Sequence, residues 1–180
     1  MSIPSKIFFT KGVGFHRDQL ISFEAALRDA KIANYNLVTV SSILPPKCQI
    51  IKREEGIELL SPGEIVHVVL ARNAVKEARR LISSAIGVAI PKDNHTHGYL
   101  SELHSEGLNE KETKDWVEDR AAELLASTLG IPFDGDKSWD QKEEFFRIGK
   151  RVVNTRSICQ SVICKKNVWS TVVAAAVFVP

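Results

Sequence analysis

The residues best suited to do chemistry are Ser41 and Ser42, two adjacent hydroxyls in the stretch "NLVTVSSILPPKCQI", residues 36–50. A hydroxyl beside a strained carbonyl can attack it. The Ser42 Oγ adds to the carbonyl carbon of Ser41, and collapse of the adduct breaks the C–N bond, leaving the Ser41 acyl group as an ester on Oγ. Removal of the Ser42 α-proton then expels Ser41 as a carboxylate. Residue 42 is left as dehydroalanine at a new N-terminus, which tautomerises to an imine and hydrolyses, with loss of ammonia, to a pyruvoyl group. By this route a chain makes a carbonyl cofactor from its own serine. The plain alternative is a turn, where serine is an ordinary residue.

Position weighs between the two. Residues 36–42 read as a strand that Pro45-Pro46 stops, because proline lacks an N–H and drives the residue before it out of the helical region. Such a junction can hold a carbonyl in sparsely populated geometry. The sequence carries a contrast in Ser83-Ser84, which falls inside a helical pattern where the backbone is expected to be hydrogen-bonded and unstrained.

The elements around the pair alternate between periods of 2 and 3.6 residues, which argues for a mixed α and β domain. Residues 3–10 read as a first strand closed by the turn residues "KGVG", and 19–31 as a helix with Phe23, Ala26, Leu27 and Ala30 on one face. "GEIVHVVLAR" (63–72) reads as a strand, and "NAVKEARRLISSAI" (73–86) as an amphipathic helix with Val75, Ala78, Leu81 and Ile82 inward. Two more strands follow at 86–93 and 98–103. Asn109 and Glu112 have capping-box spacing and open the longest helix, to about Leu129, with Trp116, Ala121, Leu124, Leu125 and Thr128 inward. Residues 132–147 read as a long loop with a short helix near its end. "SICQSVIC", "KKN" and "VWSTVVAAAVFV" read as a C-terminal hairpin. About seven strands and three or four helices suit sheet packed on sheet with helices outside.

Composition narrows the function. A 180-residue chain that is 44% hydrophobic can build one real core, so a single domain over 1–180 is expected. Lys and Arg total 24 against 22 acidic residues, with no basic stripe, which argues against a nucleic-acid partner. The apolar run from Val172 is half the length that spans a bilayer, and the N-terminus lacks a signal-peptide core, so no membrane role and a cytoplasmic location are expected. Cys48, Cys159 and Cys164 are odd in number and lack zinc-like spacing. His95 and His97 have no third ligand at suitable spacing, so no metal is expected; there is no Gly-x-Ser-x-Gly elbow, and "TKGVG" is too short for a phosphate-binding loop.

"NLVTVSSILPP", preceded by "FEAALRDAKIANY" and followed by "AIGVAIPKD" and "GYLSELHSEG", resembles the pyruvoyl-dependent arginine decarboxylases from about residue 20 to the last strand. The resemblance implies a four-layer αββα sandwich of class α+β, with mostly antiparallel sheets and helices on the outer faces. It implies self-cleavage into a β chain (1–41) and an α chain (42–180), with Ser42 the pyruvoyl precursor and no pyridoxal phosphate. The pyruvoyl carbonyl would take up the substrate's amine, and its amide would act as electron sink while carbon dioxide leaves. Asn36 matches the residue that assists processing, yet six extended residues put it about 20 Å from Ser42. Either the segment bends or Asn36 serves another subunit, since the family is trimeric with sites between subunits. Glu102 matches the proton donor, on one strand face with Leu100, where apolar burial would raise its pKa as the role requires. Ser41, Leu100 and Glu24 would contact substrate. Glu24 stands where the family usually has Asp to hold the guanidinium, and the added methylene keeps ornithine and lysine open as substrates beside arginine. Histidine and aspartate decarboxylases also use pyruvoyl groups, although the aspartate enzymes are much shorter and are cut at Gly-Ser. A non-catalytic paralogue would share the fold without the activity.

Overall fold

A computed structural model describes residues 3–93, 95–130 and 153–180. The expected loop at 132–147 lies outside the described residues. Among those described, nine strands and three helices follow the order β1 (Lys6–His16), α1 (Gln19–Asp29), β2 (Asn36–Thr39), β3 (Ile43–Leu44), β4 (Gln49–Ile50), α2 (Arg53–Glu58), β5 (Ile65–Val75), β6 (Leu81–Pro91), β7 (Gly98–Glu106), α3 (Glu110–Thr128), β8 (Val153–Ile163) and β9 (Trp169–Val179).

Two sheets stack face to face. The first runs β2-β5-β9-β1-β4 and the second β3-β7-β6-β8. The second is antiparallel throughout, and the first is antiparallel except at its edges, where β2 joins β5 and β4 joins β1 in parallel. Apolar side chains from both sheets fill the space between them, among them Ile7, Val69, Ile86, Val88, Leu100 and Ala176. Helix α1 covers the outer face of the first sheet through Ala26, Leu27 and Ala30. Helix α3 covers the second through Val117, Ala121 and Leu125. This is the αββα sandwich that the resemblance implied.

Both long helices begin where side chains can satisfy free backbone donors. Asp18 accepts from the Ile21 N–H at 3.1 Å. Asn109 and Glu112 exchange side-chain to backbone bonds at 3.0 and 2.9 Å, the expected capping box.

Four local expectations need correction. The "KGVG" turn is absent, because β1 continues through it to His16. Its glycines serve a close approach instead: a Cβ at Gly12 or Gly14 would collide with the α1 backbone at Ala26 or Ser22. Gly14→Ala is therefore expected to lower unfolding stability by about 1–3 kcal/mol, read from the denaturant midpoint at unchanged slope.

The expected helix at 73–86 is strand: β5 runs to Val75, a tight turn with Arg79 at φ 68° reverses the chain, and β6 starts at Leu81. Ser83 and Ser84 thus lie in a central strand, not a helix. The hairpin of the last two strands is also absent, since β8 pairs with β6 while β9 pairs with β1 and β5 in the other sheet. The turn between them, with Asn167 at φ 63°, carries the chain from one sheet to the other. On α3, finally, Trp116, Leu124 and Thr128 face outward, leaving Thr113, Val117, Ala121, Ala122, Leu125 and Ala126 as the buried face.

Candidate active site

The strand expected over 36–42 is divided. β2 ends at Thr39 on the edge of the first sheet, and β3 begins at Ile43 on the edge of the second. Ser41-Ser42 is the crossing between them. Each side of the crossing is tied down: the Val40 N–H donates to the Val68 carbonyl at 3.0 Å in one sheet, and the Leu100 N–H donates to the Ser42 carbonyl at 2.8 Å in the other. Between these anchors the Ile43 N–H donates to the Ser41 carbonyl at 3.0 Å, closing a three-residue turn. The carbonyl that Ser42 would attack therefore already carries a donor on its oxygen, which favours charge developing there.

Ser83-Ser84 meets none of these conditions. Both residues sit mid-ladder in β6, opposite Ser105 and His104 on one side and Ser161 and Gln160 on the other. The Ser84 hydroxyl donates to the Val172 carbonyl at 3.2 Å, and the Ser83 hydroxyl to that of Leu108 at 3.1 Å. The contrast with Ser41-Ser42 holds, on the ground of full strand pairing.

Two clefts flank the crossing. The larger, about 520 Å³, is walled by Ser42, Leu100 and Glu102 and by Trp116, Arg120 and Glu123 of α3. The smaller, about 320 Å³, is walled by Val40, Ser41, Ile43, Pro45, His67 and Phe178. Leu100 is fully buried, whereas Glu102, two residues along the same face, is exposed, because β3 pairs with β7 only at Gly98 and Tyr99. One chain alone does not supply the apolar enclosure expected around Glu102.

Ser41, Ser42, Leu100 and Glu102 thus come together at the crossing. Asn36 and Glu24 do not join them within one chain. Asn36 opens β2, and its side-chain amide donates to the Gly63 carbonyl at 2.7 Å. Glu24 lies on α1 and accepts from Arg28 Nε at 3.1 Å. Sequence reasoning missed Arg120 and Glu123 on the cleft wall and misjudged Trp116 as core. The spacing Trp116, Arg120, Glu123 and Ser127 marks one face of α3, but nothing in residue type separates that face from the apolar one beside it.

Other reactive groups are held out of this chemistry. Burial pushes the Cys48 thiol up to about 11, so it offers no thiolate at neutral pH. In the loop carrying His95 and His97, the Thr96 and His95 backbone N–H groups hold the Asp93 carboxyl below its usual range. His97 packs edge-on to Tyr99 at 5.1 Å.

Residues 6–180 match the sequence model of a family described as pyruvoyl-dependent arginine decarboxylase. A protein of Chlorobium limicola named "probable pyruvoyl-dependent arginine decarboxylase" is 52% identical over 178 residues, 99% of this chain and 98% of its own. A protein of Methanosarcina acetivorans named "pyruvoyl-dependent arginine decarboxylase 2" is 52% identical over 178 residues, covering 98% and 97% of the two chains. One from Chloroherpeton thalassium, named as the first is, matches at 52% over 179 residues.

Proposed function

Because this chain belongs to the pyruvoyl-dependent arginine decarboxylase family, we propose that it cuts itself between Ser41 and Ser42 and removes carbon dioxide from L-arginine to leave agmatine, a carboxy-lyase step toward polyamines. The observation that carries this reading is the crossing: a Ser-Ser bond anchored in two different sheets, its acyl carbonyl already bound by the Ile43 N–H, beside a cleft that holds Glu102. Cleavage would divide the domain into residues 1–41 and 42–180.

The residues present suit a pyruvoyl group. Ser42 is half-buried on the cleft wall, and the Leu100 N–H holds its carbonyl, which would become the amide carbonyl of the group. When formed, the group supplies a reactive carbonyl for the substrate's amine and an electron-withdrawing amide. Leu100 presents apolar surface beside it. Glu102 delivers a proton to the Cα from which carbon dioxide has left. Glu24 would grip the substrate guanidinium in exchange for its present surface partner, Arg28 one helical turn along.

Since Glu24 and Asn36 stand outside both clefts of one chain, a shared site needs a second copy. Assembly as a homotrimer of αβ units, with sites between subunits, is supported by the edge strand β2 and the exposed apolar residues around it: Val38, Val40, Ile43 and Ile65 are 43, 37, 41 and 65% exposed. An open sheet edge lined with apolar residues is a surface that a partner covers. No helix among the described residues is long and apolar enough to cross a membrane, and a small-molecule biosynthetic role suits the cytoplasm.

The test is carbon dioxide release from carboxyl-labelled arginine, with agmatine identified by mass, alongside lysine and ornithine. Release from lysine or ornithine but not arginine would overturn the substrate. Glu24→Gln is expected to lower kcat/KM for arginine about 10- to 100-fold, mostly through KM, corresponding to roughly 1.5–3 kcal/mol for a charged hydrogen bond. Self-cleavage should be unchanged in that variant. An unaltered KM would remove Glu24 from the substrate site.

A further inference from the structure

Among the described residues, the smaller cleft beside the crossing has one ionisable side chain on its wall, His67. His67 sits on β5 opposite Val38 of β2, partly buried and on the same strand face as Val69, toward the space between the sheets. The remaining walls, from Val40, Ile43, Pro45 and Phe178, are apolar apart from Ser41 itself. Neither the self-cleavage chemistry nor the decarboxylation described above uses His67.

Cutting the 41/42 bond changes what this cleft must hold. In the intact chain Ser41 ends in a neutral carbonyl satisfied by the Ile43 N–H. After the cut it ends in a carboxylate, and Ile43 belongs to the other fragment. Ser41 is exposed in one chain, so the cost arises when a second copy covers β2 and excludes water: an anion against mostly apolar walls is then unfavourable unless it finds a donor. An imidazole can supply one N–H when neutral and a charged donor when protonated.

We propose that His67 is the partner of the carboxylate that self-cleavage creates at Ser41. It is a positioning residue, holding the new chain end in the wall of the site after the covalent link to Ser42 is gone. The inference rests on the reading that the chain cuts between Ser41 and Ser42. One other anionic side chain among the described residues stands near His67. Glu64 lines an adjoining cleft with it, and the Glu64 carboxylate accepts from the Ser61 N–H at 2.8 Å. It is present whether or not the bond is cut, so any effect that appears only after cleavage belongs to Ser41.

The experiment is a cycle over His67 and the state of the bond. Wild type, His67→Leu, Ser42→Ala and the double variant are compared at one protein concentration. Denaturing mass reports whether each chain is cut, and amide hydrogen exchange over residues 36–41 with the thermal midpoint reports how the Ser41 end is held. His67→Leu is expected to cut as completely as wild type. Its 36–41 amides should exchange about tenfold faster than those of cut wild type, with a midpoint about 4 °C lower, while the same substitution in the uncut Ser42→Ala background shifts neither appreciably. His67→Gln, which keeps an N–H donor, should recover at least half of the loss and guards against a variant that merely misfolds. Equal shifts in both backgrounds, or none in the cut chain, would overturn the pairing. A His67→Leu chain that stays whole would place His67 in the cleavage chemistry and overturn the positioning role. An uncut wild type would remove the cleavage reading and the inference together, whereas a cut wild type with equal shifts removes only the inference.

Discussion

Ser42→Ala is expected to give one uncut 180-residue chain that releases no measurable carbon dioxide from arginine yet folds like wild type. In the proposed mechanism, alanine removes the Oγ that would attack the Ser41 carbonyl, carry the ester and leave as part of the Ser41 carboxylate. No later step has material to work on. The fold should survive because the crossing is anchored through its backbone, by Val40 to Val68 and by Leu100 to Ser42. The lost hydroxyl is half-buried and has no ladder role, so the stability change should stay within about 0.5 kcal/mol. Ser41→Ala supplies the contrast. The Ser41 hydroxyl takes no part in the acyl shift, so that variant should still cut, with its smaller fragment ending at residue 41. Denaturing mass reads both outcomes, and the larger wild-type fragment should carry a pyruvoyl terminus. A Ser42→Ala chain that cuts at 41/42, or a wild-type chain that stays whole, would sink the mechanism.

Which parts of this site were legible in the sequence follows from how each signal arises. The crossing showed itself because Pro45-Pro46 marks a stop next to two hydroxyls, a local signal. That the stop separates two sheets is not local, since β2 and β3 find partners in β5 and β7, far along the chain. The segment 81–91 misleads for a related reason. In β6 every residue from Ile82 to Ala89 is buried, so the period-2 alternation that marks a half-exposed strand never appears. Its small and branched residues then join the helix-favouring "KEARR" into one false helical pattern. The last two strands show the same limit, because "KKN" turns the chain back equally well within one sheet or across two. On α3 the cap was legible and the inward face was not. Trp116 and Leu124 are hydrophobic by type, yet they line the cleft at 38 and 44% exposure. A residue scale cannot separate apolar side chains that make a core from those that make a binding wall.

The separation between making the cofactor and using it yields the second large effect. Glu102→Gln is expected to leave self-cleavage complete while lowering steady-state agmatine formation about 10²- to 10⁴-fold, the usual range for loss of a positioned proton donor. Glutamine keeps the size and the strand position, which the ladder fixes opposite Ile86. It has no acidic proton to give. The cleft contains another carboxyl, Glu123, but its oxygen is engaged by Arg120 at 2.5 Å, and it belongs to the helix wall, not to the strand edge beside Ser42. Carbon dioxide departure and proton delivery are successive steps, so the variant should release up to one equivalent of carbon dioxide per site in a first burst and then stall. A residue that merely shaped the cleft would slow both steps together and give no burst. Rapid-quench measurement of carbon dioxide and agmatine on the same samples distinguishes the two. If Glu102→Gln turned over within tenfold of wild type, the donor would have to be sought elsewhere, first among carboxyl groups that a neighbouring subunit brings to the exposed edge of β7.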